Sequence, residues 1–91
     1  PNKGMWFVFE DESMLHFWMK GMLMPLDILY VNSKGKIVSI IEAANPCAEE
    51  NSLCPTHPSG TPAQYALEVQ VGFVKAHKIK VGDRITVSEE E

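Results

Sequence analysis

The sequence predicts a mainly β domain: a small antiparallel β-sandwich or barrel of six to seven short strands, with at most one short helical turn. Short apolar or alternating segments recur along the chain, and turn residues separate them at regular intervals. A single segment near residue 73 has the character of a helical turn. With 91 residues, the chain is expected to form a single domain, residues 1–91, in which residues 88–91 are an acidic tail.

Two strands are predicted in the first twenty residues. Residues 5–10, MWFVFE, are aromatic and β-branched, which suits a central strand with both faces covered. In residues 15–20 the side chains alternate, so that one face is apolar and the other more polar. The apolar face would carry Leu15, Phe17 and Met19, and the other His16, Trp18 and Lys20.

The next segment predicts a β-hairpin. Residues 26–31 are apolar apart from Asp27, and residues 37–41 are again apolar and β-branched. Between them, Asn32-Ser33-Lys34-Gly35 is a turn sequence. We therefore expect strands three and four to be antiparallel neighbours.

A long connection rich in proline follows, from about residue 43 to residue 62. Residues 64–71 then alternate as a half-buried strand. Its inward side chains would be Tyr65, Leu67, Val69 and Val71, and its outward ones Gln64, Ala66, Glu68 and Gln70. We expect one helical turn over 73–77 after Gly72, a turn at 81–83, and a last strand over 84–88 with Ile85 and Val87 on its inner face.

Charge and hydropathy exclude two classes of partner. The net charge is −4, and the eight basic residues are scattered, so no nucleic-acid partner is expected. No apolar run is long enough to cross a bilayer, so membrane association would need a missing N-terminal segment. The chain starts at Pro1, which we interpret as the result of a removed leader or anchor, or of a simple cut. A monomer or weak dimer is expected.

The two cysteines predict a structural disulfide. Cys47 and Cys54 are an even pair in a small domain, and a bond between them would close the long connection. Loop-closure entropy would then stabilise the fold by about 2.5 kcal/mol. The alternatives are a zinc site with His57 as a third ligand, redox-active thiols, and a Cys54–His57 dyad, which the residue spacing does not favour.

Several segments together resemble the family called domain of unknown function 192. They are Gly4-Met5 with Phe7 and Phe9, FWMK (17–20), PLDI (25–28), the cysteine pair, PAQYALEV (62–69) and IKVGDRI (79–85). The resemblance covers residues 4–87 and implies a compact, mostly β domain, often behind a signal peptide or anchor, without an established activity, cofactor or partner. Relatives usually carry Asn and a hydroxyl residue where this chain has Gly21 and Met22, and an aromatic residue at His57.

Lys20 and Asp27 are the candidate polar anchors of a binding pocket. They lie in an apolar segment, where an unpaired charge is unfavourable, and Trp18, Met22 and Met24 would form the walls. The predicted ligand-binding residues are Trp18, Lys20, Met22 and Asp27. A salt bridge between Lys20 and Asp27 that fixes strand register is the structural alternative.

Other residue groups give weaker signals. Met14, Met19, Met22 and Met24 could fill the core, form an adaptable surface or bind copper(I). Glu68 and Asp83 are interpreted as solvated surface rather than as a catalytic pair. We predict no catalytic residue, no metal site and no cofactor.

The sequence does not determine a biochemical activity. We expect an extracytoplasmic, non-catalytic binding module for a small molecule or peptide, with its site between the FWMK strand, the following connection and the cysteine loop. An enzyme of unrecognised chemistry and a structural domain of an envelope assembly are the alternatives. An exposed apolar patch at Met22–Met24 would favour the structural domain.

Overall fold

The computed structural model describes residues 4–48, 50 and 53–86. It contains six strands and one helical turn. They are β1 (Gly4–Ser13), β2 (His16–Trp18), β3 (Leu26–Val31), β4 (Ile37–Ala44), β5 (Thr56–Pro58), β6 (Ala63–Gln70) and α1 (Phe73–Ala76). The predicted mainly β class and the single helical turn are confirmed.

Two antiparallel sheets form the domain. The larger has the strand order β1-β6-β3-β4, and the smaller pairs β2 with β5. The described strands do not close into a barrel, so of the two predicted architectures the open, two-sheet one is realised. The predicted hairpin is confirmed: β3 and β4 are neighbours, and the Asn32 side chain accepts hydrogen bonds from the backbone N–H groups of Lys34 and Lys36.

Apolar residues cover both faces of the larger sheet. Alternate residues of β3 belong to two separate buried clusters, because successive side chains of a strand point to opposite faces. The first cluster lies towards β2 and contains Leu15, Met19, Ile28, Tyr30, Ala44, Ala63 and Ala66. The second lies towards α1 and contains Leu29, Val31, Ile37, Val69 and Val74.

Four predictions about strands need correction. β1 is an edge strand, not a central one, and its Met5 and Val8 are exposed. β2 is only three residues long, and Lys20 instead forms an isolated bridge with Cys47. The long connection contains a strand that the sequence did not predict, β5, which pairs with β2.

The fourth correction concerns β6. Ala66 is completely buried, although the alternation predicted that it faces outwards, and Val71 is exposed although it was predicted to face inwards. Ala66 is buried because β6 lies between β1 and β3 and has a cluster on each side, whereas Val71 follows the strand's last residue.

The last predicted strand is described only in part. Arg84 forms a single bridge with Lys36, and Ile85 is half-buried against the second cluster, as predicted for an inner position. Val87 and Ser88 lie outside the described residues. Within the described residues, no helix has the length and apolar character needed to span a bilayer.

Candidate functional site

Asp27, one of the predicted ligand-binding residues, is buried and hydrogen-bonded to the backbone. It is 0% exposed, and its Oδ1 accepts a hydrogen bond from the N–H of Ala43 at 2.9 Å. Its Oδ2 accepts from the N–H groups of Gly72 at 3.2 Å and Val74 at 3.0 Å. Backbone donors therefore compensate the buried carboxylate, and they join β3 to the end of β4 and to the start of α1.

The alternative salt bridge between Lys20 and Asp27 does not form, because Lys20 has a different partner. Its Nζ lies 5.2 Å from the centroid of the Trp18 ring, which is a cation–π distance. The Trp18 side chain is 54% exposed. The pair therefore consists of an exposed Trp18 and a half-buried Lys20, and it does not include the buried Asp27.

The connection between β2 and β3 forms one wall of an apolar groove of about 580 Å³. The other walls are the start of β1, the start of β3 and the end of β6. We call it the methionine groove. Its lining residues are Gly4, Met5, Met22, Met24, Pro25, Leu26, Glu68, Val69, Gln70 and Val71.

The groove contains only one of the four predicted ligand-binding residues. Met22 lines it, whereas Trp18, Lys20 and Asp27 are not among its lining residues. Met5 comes from β1, so the groove uses a strand that the sequence did not connect with a site. The cysteine loop was expected to be a wall, but the lining residues do not include it.

Glu68 is the ionisable side chain among the lining residues. In the register of the sheet it lies between Met5 of β1 and Ile28 of β3. It is half-buried, and this burial raises the pKa of its carboxyl group above the ordinary value. The interpretation of Glu68 as solvated surface is therefore wrong, since the β2–β3 connection covers this end of the sheet.

Asp83, the other carboxylate of the rejected pair, lies elsewhere. It forms an exposed ion pair with Lys80 at 3.5 Å and accepts a hydrogen bond from the Lys80 backbone N–H. This is the ion pair found among the described residues, so no lysine, arginine or histidine of that part of the chain pairs with Glu68.

Tyr30 connects the buried floor of the larger sheet to β5. Its hydroxyl donates a hydrogen bond to the backbone carbonyl of His57. Burial, together with the charge of Glu68, raises the pKa of Tyr30 to about 12. The phenol therefore remains a neutral donor at physiological pH.

The cysteine loop is fixed to the segment that leads into the groove wall. Cys47 and Cys54 form a disulfide with a Cα–Cα distance of 5.9 Å. The Cys47 backbone donates to the Met19 carbonyl at 3.1 Å and accepts from the Gly21 N–H at 2.8 Å. The bond uses both sulfurs that the zinc alternative would need, and in the described part of the chain no three His, Cys, Asp or Glu side chains form a metal-binding group.

The sequence profile of DUF192, described as "Uncharacterized ACR", matches residues 1–87. The chain belongs to the DUF192 family. The resemblance over residues 4–87 is thereby confirmed. No curated protein matches this DUF192 chain.

Two solved structures have the same fold as this DUF192 domain. One is a Sinorhizobium meliloti 1021 protein described as a candidate transcription regulator, with 36% identity, a TM-score of 0.78, and coverage of 89% of this chain and 59% of that one. The other is a protein of unknown function from Novosphingobium aromaticivorans DSM 12444, with 29% identity, a TM-score of 0.79, and coverage of 90% and 55%. The DUF192 domain thus spans less than two thirds of the length of either protein.

The groove of this DUF192 domain is mainly apolar. Its size is in the range of ligand pockets, and its walls are thioether and aliphatic side chains around one carboxyl group. Methionine side chains are flexible and polarisable, so they adapt to apolar ligands of different shape. Glu68 is the one ionisable side chain among the described lining residues.

Proposed function

We propose that this DUF192 domain is a non-catalytic binding module of an exported protein. In this proposal the methionine groove holds a small apolar molecule that carries an ammonium group. One observation carries the proposal: Glu68 is half-buried in an apolar groove and has no cationic partner among the described residues.

The electrostatic argument concerns the charged form of Glu68. Burial removes water from the carboxylate and makes ionisation less favourable. An ammonium group in the groove would restore a partner for the carboxylate, while the alkyl part of the ligand would contact Met5, Met22 and Met24. A neutral or anionic ligand of the same shape would bury the carboxylate further without any compensation.

Two observations favour binding over catalysis and export over a cytosolic location. The described lining residues include no nucleophile and no second acid or base beside Glu68. The Cys47–Cys54 disulfide is typical of small domains in oxidising compartments.

Matched alkyl probes test the proposal. Hexylammonium, hexanol and hexanoate are titrated into the protein, and binding is followed by NMR through the methyl groups of the five methionines. Hexylammonium should shift the signals of Met5, Met22 and Met24 at lower concentration than the other two probes. Its affinity should decrease as the pH falls through the raised pKa of Glu68, because the protonated carboxyl no longer attracts the ammonium group.

Two variants complete the experiment. Glu68→Gln should weaken hexylammonium binding about tenfold, since a charged hydrogen-bond acceptor is lost. Glu42→Gln removes an exposed carboxylate from β4 and should leave binding unchanged. Equal affinity for hexanoate, or unchanged binding by Glu68→Gln, would show that the proposed ligand class is wrong.

A docking surface for a second copy of this chain is the second candidate, and a specific observation favours it. Leu23 is 93% exposed and its neighbour Met24 is 62% exposed, which gives the apolar patch that an interaction domain would present. Leu23 does not line the groove, so Leu23→Ser separates the two candidates. If self-association in sedimentation experiments decreases in Leu23→Ser while hexylammonium still binds, the patch and the groove have separate roles.

A further inference from the structure

A second hollow, of about 380 Å³, lies between the β3–β4 turn, the β1–β6 pair and residues 84–86. We call it the basic hollow. Its apolar wall includes Trp6 and Tyr65, whose rings are stacked with centroids 5.2 Å apart and planes 13° from parallel. Its polar wall includes the cationic residues Lys34 and Arg84.

The Arg84 side chain is exposed and makes one hydrogen bond at this hollow. Its Nη1 donates to the backbone carbonyl of Lys34 at 3.0 Å. The surrounding backbone is also fixed, because the Ile85 N–H donates to the Gly35 carbonyl at 2.8 Å and Arg84 forms a bridge with Lys36. The hydrogen bond to Lys34 orients one side of the guanidinium group, and its other N–H donors have no partner among the described residues.

The charge balance at the hollow favours an anion. Arg84 has no carboxylate partner among the described residues. Asp83 precedes Arg84 in the chain but pairs with Lys80. On the side of the β3–β4 turn, the Glu12 carboxylate accepts a hydrogen bond from the Ser33 N–H at 2.7 Å. Because that hydrogen bond, with a smaller contribution from Lys34, lowers the pKa of Glu12, this carboxylate stays ionised and offsets one of the two cations. Among the described residues, one of the two lining positive charges is therefore not offset.

We propose that the basic hollow is a second ligand site of this domain, which takes a small aromatic anion. The ligand's ring would lie against the Trp6 and Tyr65 wall, and its carboxylate or phosphate would pair with Arg84. Guanidinium groups bind both anions through two parallel hydrogen bonds. This site is separate from the methionine groove, because the two share no lining residue.

The test uses two probes that share a ring and differ in charge, indole-3-acetate and tryptamine. Binding is followed by ¹H–¹⁵N NMR. Indole-3-acetate should shift the backbone signals of Gly35 and Ile85 and the indole N–H of Trp6. Tryptamine at the same concentration should leave these signals unchanged. Phenyl phosphate in a third titration shows whether a phosphate is accepted at the same place and with what relative affinity.

Two variants test whether Arg84 is responsible for the binding of indole-3-acetate. Arg84→Gln should weaken indole-3-acetate binding about tenfold, the effect expected for loss of a charged hydrogen-bond donor. Lys75→Gln makes the same charge change on exposed α1 and should have no effect. Thermal unfolding of both variants verifies that they are folded. Glu68→Gln should also leave indole-3-acetate binding unchanged, so failure of the groove proposal would not affect this one.

Three outcomes would overturn the inference. They are equal shifts by tryptamine at Gly35 and Ile85, unchanged affinity in folded Arg84→Gln, and indole-3-acetate shifts confined to the methionine groove.

Discussion

At the scale of single residues, Asp27 has the clearest structural role. The helical turn α1 starts after Gly72, which has no side chain to cap the N–H groups of its first turn. Asp27 satisfies two of these N–H groups, although it lies more than forty residues earlier in the chain. The carboxylate thus replaces a local cap and at the same time holds the end of β4.

Asp27→Asn should destabilise the domain by about 2–3 kcal/mol, as expected when a buried hydrogen bond to a charged group is lost. An amide offers one acceptor oxygen, so its NH₂ group would face the N–H of Ala43 or those of Gly72 and Val74. The free energy of unfolding in urea measures the loss. Asp11→Asn, an exposed change on β1, is the control and should have almost no effect. Equal stability of the two variants would contradict the proposed role of Asp27.

At the scale of secondary structure, the end of β4 departs from regular pairing. The register between β3 and β4 shifts between Leu26 and Ile28, and Ala43 in this region has a φ of 53°. This left-handed conformation is unfavourable for a residue with a Cβ atom. It lies where the Ala43 N–H donates to Asp27, so the irregular backbone and the buried carboxylate belong to one arrangement.

Ala43→Gly should therefore stabilise the protein by about 0.5 kcal/mol, because relief of the left-handed conformation exceeds the added flexibility of the unfolded chain. Ala44→Gly provides a matched control. Ala44 is buried in the first cluster at a negative φ, so its loss should destabilise the protein by about 1 kcal/mol. Thermal unfolding of both variants measures the difference, and a loss of stability in Ala43→Gly would show that its φ is not a source of strain.

At the scale of the whole molecule, the disulfide closes a loop inside the long connection, and hydrogen bonds of Cys47 hold that loop against the rest of the domain. Through the backbone of Cys47 it is coupled to Met19 and Gly21, just before the groove wall. The two small strands β2 and β5 lie on either side of this junction in the chain.

The double variant Cys47→Ser/Cys54→Ser should lose about 2.5 kcal/mol of stability, from the closure entropy of a loop of about eight residues. It should also bind hexylammonium less tightly, because the segment that carries Met22 is less restrained. Chemical denaturation and the NMR titration measure the two effects. In the unmodified protein, alkylation without reductant should find no free thiol; labelling of both cysteines would show that the bond does not form in solution.

The parts of the fold that local patterns determine could be predicted. The hairpin around Asn32–Gly35, β6, the turn after Gly72 and the cysteine pair all have signals within a few residues. β5 could not be predicted, since Thr-His-Pro between prolines has no strand character and pairs with β2 about forty residues away. The burial of Ala66 could not be predicted either, because alanine is common on both buried and exposed faces of strands.

The candidate sites depend more strongly on sheet order. Met22 was predicted to bind a ligand, and it lines the groove. Glu68 was assigned to the solvated surface, because its burial depends on which strands lie beside β6 and on the segment that covers them, and neither can be read from the local sequence. Arg84 and Lys34 are fifty residues apart in the sequence and are in contact only in the folded chain. Each lies in or beside a predicted turn, and the two turns gave no indication that they form a common site.

Acid and base change the charge of different groups in this molecule: acid acts on Glu68, and strong base acts on the Tyr30 hydroxyl. Because the phenol that joins β3 to β5 keeps its proton until about pH 12, mildly alkaline solution leaves the link between the two sheets intact. Mild acid neutralises Glu68 first among the groups that line the groove. A change of pH in the acidic range therefore alters which ligands the groove attracts.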